Sequence, residues 1–211
     1  MSTLVTLIDY GIGNLLNTVR ALERCGAAVT VTQQAAAADL DAPRLILPGV
    51  GAFGDGMREL RARGFDDLIR RFADTGRPFL GICVGMQVMF DASEEMGEHA
   101  GLGLIAGRVL PVPPTGTDGQ PHRVPHIGWR PLQPARDWQG SLLADAIPGE
   151  RAYFVHSFSA HPSDSARLAD VDYDGRRICA AVSQGNLHGC QFHPERSADA
   201  GLGMLRRFLA L

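Results

Sequence analysis

Pro78-Phe79-Leu80-Gly81-Ile82-Cys83-Val84-Gly85-Met86-Gln87 runs from an unbroken apolar stretch into a cysteine flanked by glycines. Pro78 to Ile82 reads as a buried strand, and Val84 to Phe90 as the helix after it. Gly81-Ile82-Cys83-Val84-Gly85 is therefore the cysteine version of the sharp strand-to-helix turn whose serine form is G-x-S-x-G. Such a turn holds its central residue in a strained backbone, and glycines two before and two after leave it room. A helix N-terminus beside Cys83 favours the thiolate and offers the Val84 N–H to a developing oxyanion. A structural cysteine packed among glycines would leave the same five residues, so the pentapeptide keeps both readings open.

Upstream of that turn the pattern repeats. Leu4 to Asp9 reads as a buried strand entering the glycine-broken turn Tyr10-Gly11-Ile12-Gly13-Asn14. From Asn14 to Cys25, Leu15, Leu16, Val19, Leu22 and Cys25 recur at helical spacing, and Gly26 stops the run. Val29 to Thr32 and Arg44 to Leu47 are further short strands. Pro48 to Gly56 holds too many glycines for regular structure, and Met57, Leu60, Phe65, Leu68, Ile69 and Phe72 mark a second helical face with Gly64 inside it. Strands alternating with helices predict the α/β class, a mostly parallel central sheet flanked by helices.

From Leu104 the texture becomes β-rich: Leu104 to Val112, Ile127 to Trp129, Tyr153 to Ser159, Leu168 to Tyr173 and Ile178 to Val182. Gln184-Gly185-Asn186-Leu187 reads as a hairpin turn and Gly189 to Phe192 as the returning strand. Leu202, Leu205, Phe208 and Leu209 predict a closing helix, with Arg206 and Arg207 near its end where they suit the dipole. Residues 111–125, with five prolines, read as a surface loop, and Ala35 to Ala38 as a biased stretch without functional signal. The 211 residues are expected to form a single domain, 1–211.

Composition narrows the chemistry. The 20 basic residues are all arginine, which excludes mechanisms that need a Schiff-base or phosphate-cradling lysine. A net charge of −3 and no basic run longer than two give no sign of a nucleic-acid partner. No apolar run approaches the roughly 20 residues of a membrane span, and the N-terminus has no secretory signal, so a soluble cytoplasmic protein is expected. The four cysteines lack C-x-x-C spacing and read as free thiols.

A thiol nucleophile needs a base, and the base an orienting acid. His193-Pro194-Glu195, 110 residues after Cys83 at the end of a predicted strand, offers both. In an extended segment His193 and Glu195 point to the same side. Pro48-Gly49-Val50-Gly51 falls at the C-terminal end of a strand of the same sheet, where open parallel sheets bind ligands. Alone, a His-Pro-Glu turn and a glycine-rich connection are both common.

Together, Pro-Gly-Val-Gly at 48–51, Gly-Ile-Cys-Val-Gly-Met-Gln at 81–87 and Gln-Phe-His-Pro-Glu at 191–195 resemble the class I, triad-type glutamine amidotransferases. Asp9 to Asn14, His126-Ile127-Gly128-Trp129, Tyr153 to Phe158 and His193 to Ser197 are similar to the glutaminase subunits of imidazole glycerol phosphate synthase, across essentially the whole chain. The resemblance implies that Cys83 attacks the glutamine side-chain amide, that His193 protonates the departing ammonia, and that Glu195 orients His193. It implies an oxyanion hole from Val84 and the Gly49, Val50 and Gly51 loop, and glutamine recognition by Gln87, Ser157 and Phe158. Ammonia would pass to a cyclase subunit, a (β/α)8 barrel in a heterodimer, which uses it on a formimino aminoimidazole carboxamide nucleotide in histidine biosynthesis. Asn14, Trp129, Tyr153 and Arg196 would lie at or near that interface. No cofactor or metal is implied. The chain departs from the family pattern at Arg130, commonly Asn, and at Arg196, commonly Lys.

Cys25, Cys179 and Cys190 read as core packing. His99, His122, His161 and His188 sit in loop-like contexts without metal-ligand spacing, His126 and His156 fall in family motifs without a catalytic role, and Trp138 reads as an anchor. Two other readings stay open: a glutaminase serving a different ammonia-using complex, and a partner-binding subunit without catalysis.

Overall fold

β1 (Thr3–Ile8) pairs in parallel with β2 (Ala27–Thr32) across α1 (Leu15–Arg24). The helix buries Thr18, Ala21 and Leu22 and ends at Gly26, whose φ of +91° is left-handed. The structure, a computed structural model, describes residues 2–35 and 40–211; Ala36 to Ala38 of the alanine run lie outside the described residues. β3 (Leu45–Gly49) follows, then α2 (Phe53–Ala62), α3 (Phe65–Ala73), β4 (Phe79–Cys83) and α4 (Val84–Gln87).

Three expectations change in this half. The glycine-rich stretch is helical from Phe53 onward. Glu95 accepts the Phe53 N–H at 2.7 Å, capping the helix from 42 residues away, and a Cβ on Gly54 would stand 2.8 Å from the His99 ring. The apolar face over 57–72 is split between two helices, because Gly64 takes φ +72° and turns the chain between them. The helix after Cys83 stops at Gln87 rather than Phe90. The Met89 N–H bonds only three residues back, to the Met86 carbonyl, and the carbonyls of Val88, Met89 and Phe90 accept from Leu102, Leu104 and Gly103, so Phe90 opens a strand.

That strand, β5 (Phe90–Ser93), begins the β-rich part earlier than expected. It continues through β6 (His99–Ala100), β7 (Ile105–Pro111), β8 (His126–Pro131), β9 (Gln133–Pro134), β10 (Arg151–His156), β11 (Phe158–Pro162), β12 (Arg167–Tyr173), β13 (Arg176–Gln184) and β14 (Leu187–Cys190). The run over 153–159 is two strands in different sheets. Its break is Ser157, whose carbonyl accepts the Val112 N–H at 2.8 Å. The hairpin over 184–187 forms as read, with Gln184 opposite Leu187 and Gly185 left-handed. α5 (Ala198–Ala210) closes the chain on Met204, Leu205, Phe208 and Leu209.

The main sheet has the order β2-β1-β3-β4-β14-β13-β12-β9. It is parallel from β2 to β14 and antiparallel beyond, where hairpins join β14 to β13 and β13 to β12. Segments distant in sequence thus become neighbours: Cys190 pairs with Ile82 in β4, and Gly49 of β3 with Cys83. A four-stranded sheet (β11-β7-β5-β6) and the β10-β8 pair lie outside it. No helix among the described residues is long and apolar enough to cross a membrane.

Candidate active site

Cys83 ends β4 with φ 54° and ψ −112°, a backbone that L-residues with a side chain avoid. Its glycines are required by close approach. A Cβ on Gly81 would stand 2.6 Å from the Gly85 carbonyl oxygen, and one on Gly85 only 1.9 Å from that of Leu47. The collisions they avoid are thus with α4 and β3. The sulfur is almost buried, at 4% exposure for the residue.

His193 and Glu195 meet, but not as an extended segment. β14 ends at Cys190, and Pro194–Arg196 form a 3-10 turn with Pro194 at its start. The turn is pinned from two sides: the His193 N–H donates to the Tyr153 carbonyl at 3.0 Å, and the Ser197 hydroxyl to the His193 carbonyl at 2.6 Å. His193 Nδ1 lies 3.0 Å from Glu195 Oε1, with the Glu195 side chain 1% exposed. With Nδ1 occupied, the interaction with Cys83 falls to Nε2, which is buried and outside strict hydrogen-bond geometry. Burial opposes a charge on this ring, yet its interactions with Cys83 and Glu195 outweigh it and push His193 up to about 10. The arrangement is a buried cysteine beside an imidazole that a glutamate side chain orients, the set that nucleophilic attack followed by protonation of a leaving group requires.

Cys83 and His193 open on a pocket of about 170 Å³ whose walls include Val50, Gly51, Val84, Gln87, Ser157 and Phe158. The expected oxyanion residues sit together there, save that Gly49 lies beneath the wall, where a Cβ would stand 2.7 Å from the Gly85 nitrogen. Gln87 donates to the Phe158 carbonyl and to Gln191 Oε1, both at 3.0 Å. Gln191 donates to the Cys83 sulfur at 3.6 Å. Sequence reading passed over two of these neighbours. Gln191 lies in the quoted Gln-Phe-His-Pro-Glu segment, two residues before His193. Glu95, a carboxylate in the pocket wall, carries no local signal, since only the return of β5 places it there.

Of the surface residues, Tyr153 pairs directly with Trp129 across β10 and β8, with ring centroids 6.0 Å apart. The Arg196 guanidinium lies 4.3 Å over the Tyr153 ring. Asn14 starts α1, which packs against the turn that carries Arg196. Trp129 and Ile127 are exposed, at 41% and 55%. Arg130 stacks its guanidinium 5.1 Å over Tyr173, an aromatic partner that its sequence position alone did not suggest.

Cys179 and Cys190 are buried; burial pushes the first thiol up to about 12 and the second well above the usual range. Cys25 is partly buried against the core and is also raised, by burial. Among the histidines expected in loops, His99, His161 and His188 lie in strands β6, β11 and β14, because tertiary pairing recruits short polar runs. Trp138 is a buried anchor, its indole N–H donating to the Leu168 carbonyl at 3.0 Å.

Residues 6–210 match the family described as Glutamine amidotransferase class-I. Imidazole glycerol phosphate synthase subunit HisH 1 of Legionella pneumophila (strain Lens) is 47% identical over 211 residues, covering 98% of this chain and 99% of that protein. The HisH subunit of Syntrophotalea carbinolica is 43% identical, covering 97% of this chain and 98% of the relative. Among solved structures, PurLQS from Thermotoga maritima superposes with a TM-score of 0.74 at 22% identity, covering 100% of this chain and 99% of that one. A crystal structure of a glutamine amidotransferase gives 0.70 at 17% identity with full coverage of both chains. At these identities the two structures speak to the fold.

Proposed function

Because the chain belongs to the class-I glutamine amidotransferases, and within them to the HisH subunits of imidazole glycerol phosphate synthase, we propose a glutaminase reaction at Cys83, coupled to a cyclase subunit that consumes the ammonia. The chain is the glutaminase subunit of imidazole glycerol phosphate synthase, and its work belongs to histidine biosynthesis. Residues 1–211 act as one amidotransferase domain, a reading supported by the family match over 6–210 and by one contiguous buried core. The cyclase partner, on this reading, is a (β/α)8 barrel that docks on the face carrying Asn14, Trp129, Tyr153 and Arg196.

The Cys83 thiolate attacks the side-chain amide carbon of glutamine, and the oxyanion is received by the Val84 N–H and an N–H of the Gly49, Val50 and Gly51 loop. Imidazolium His193 gives its proton to the departing nitrogen, releasing ammonia and leaving a γ-glutamyl thioester. Neutral His193 then takes a proton from water as that water attacks the thioester, which frees glutamate and restores the thiolate–imidazolium pair. Glu195 holds Nδ1 throughout. Gln87, Ser157 and Phe158 recognise the substrate. The observation that carries the assignment is the Glu195-oriented His193 beside a strained Cys83 in one pocket.

Glutamate release from glutamine tests it, with the chain alone and with the cyclase subunit plus its nucleotide. Release that rises steeply only in the full mixture supports both parts. Release indifferent to the cyclase removes the pathway assignment and keeps the glutaminase; no release in any mixture leaves a non-catalytic binding subunit.

Glu95 extends the reading to the far end of the substrate. A free amino acid brings an α-ammonium into the pocket, and the wall presents the carboxylate of Glu95, one oxygen of which also accepts the Phe53 N–H. A charge-assisted hydrogen bond contributes about 1.5–3 kcal/mol. Glu95→Gln is therefore expected to raise KM for glutamine by about 10- to 100-fold while kcat changes by less than about threefold. Steady-state kinetics of the complex measure both, and an unchanged KM would remove Glu95 from the substrate site.

A further inference from the structure

Behind the pocket, two buried histidines face each other across the β8–β10 pair, where His126 and His156 occupy the same register position. His126 is fully buried, its ring stacked between Phe154 and Tyr173 with centroids 5.2 and 4.1 Å away. His156 lies in the pocket wall. His126 Nδ1 is 3.0 Å from His156 Nε2, and His156 Nδ1 is 2.8 Å from the Phe158 carbonyl oxygen.

Donor and acceptor roles along this path follow from the one group that has no choice. A carbonyl only accepts, so His156 carries its proton on Nδ1. Burial holds both rings neutral, His156 lowered to about 4 and His126 to about 3. His156 Nε2 is then a bare acceptor, and His126 Nδ1 must be the donor to it. The second lone pair of the Phe158 carbonyl takes Gln87 Nε2, which turns its other N–H to Gln191 Oε1. Gln191 in turn donates to the Cys83 sulfur. The bonds thus run without a gap from the core of the β8–β10 pair to the nucleophile.

We propose that His126 is a positioning residue for glutamine hydrolysis: its Nδ1–H fixes the tautomer of His156, whose own N–H steadies the Phe158 carbonyl that ties Gln87 and Gln191 against the Cys83 sulfur. The inference rests on the glutaminase reading above. It assigns His126 and His156 a role in holding the substrate wall and the thiolate, at a distance from the reacting atoms in the case of His126. The hydrogen bond that Gln191 gives to sulfur favours the thiolate, so slack in the path lowers thiol reactivity as well as substrate fit.

Two substitutions separate donation from packing. His126→Phe keeps the ring between Phe154 and Tyr173 and removes the donor; His126→Asn loses the ring and keeps an amide N–H close to the Nδ1 position. In the complex with the cyclase, His126→Phe is expected to lower kcat/KM for glutamine by about 10- to 100-fold and to slow Cys83 alkylation by iodoacetamide at least about threefold. His126→Asn should stay within about threefold of wild type in both, even with a lower Tm. The reverse order, or a His126→Phe enzyme equal to wild type, overturns the proposal. If His126→Phe does not fold, ring 15N shifts of the wild-type chain decide: protons on Nδ1 of both rings support it, and a proton on His156 Nε2 overturns it. A wild-type complex that releases no glutamate would remove the glutaminase reading, whereas the alkylation rates and the tautomers would still decide for or against this path.

Discussion

Replacing Cys83 with alanine is expected to lower glutamate release by a factor of about 10^5 or more while the protein still folds. Removal of a nucleophile that works as a unit with its base typically costs rates of this order, because what remains is binding and oxyanion stabilisation around an absent attacking atom. No other thiol can stand in. Cys179 is pushed up to about 12, Cys190 well above its usual range, and neither lines the pocket. Alanine also keeps the strained conformation, since its Cβ suffers at φ 54° as the cysteine's does. Cys83→Gly would relieve that strain and should raise stability by up to about 1 kcal/mol while abolishing activity equally. Glutamate release from the complex and thermal unfolding of each variant measure the two effects. Residual activity within about 100-fold of wild type would exclude Cys83 as the nucleophile.

Gly85→Ala is the substitution expected to cost the fold most for the fewest added atoms. The added methyl would lie 1.9 Å from the Leu47 carbonyl oxygen and 2.8 Å from the Leu47 carbonyl carbon. These are backbone atoms of β3, held on both sides by β1 and β4, so no side-chain rotation relieves the overlap. Overpacking a rigid site costs about 3 kcal/mol and more when backbone must move. A loss of about 4 kcal/mol corresponds to a Tm lower by roughly 8–16 °C for a chain of this size, or to no soluble protein. Gly203→Ala is the matched control. It lies in α5 with nothing within 4 Å of the added carbon, so better helix propensity should stabilise it by up to about 1 kcal/mol. Calorimetry of the pair decides, and a Gly85→Ala protein as stable as wild type would mean that α4 can lift from β3.

The parts of this molecule that were legible in the sequence are those whose causes are local. β1 and α1 follow from apolar spacing and from Gly26, the hairpin from Gln184-Gly185-Asn186-Leu187, and α5 from its own apolar stripe. The same holds for Cys83, His193 and Glu195. Their residue types and their glycine and proline neighbours mark them as candidates whether or not the fold is known, and the structure brings all three together.

Where the cause lay elsewhere in the chain, local reading misplaced the element or missed the residue. α2 begins among glycines because Glu95 caps it, α4 gives way after Gln87 to residues whose carbonyls bond the N–H groups of 102–104, and the run over 153–159 breaks where Val112 takes the Ser157 carbonyl. Glu95 and Gln191 escaped for the same reason, being chosen by what faces them across the pocket. The α/β class, the strand–cysteine–helix turn and the candidate nucleophile, base and acid are readable from residues alone, since backbone strain, periodicity and side-chain chemistry act within a few positions. That His193 approaches Cys83, and that the pocket wall is tied to the buried histidines, comes from the folded chain, the former because β14 inserts beside β4 in parallel. A hydrogen bond between residues 30 to 108 positions apart has no signature in either neighbourhood until the sheet closes the distance.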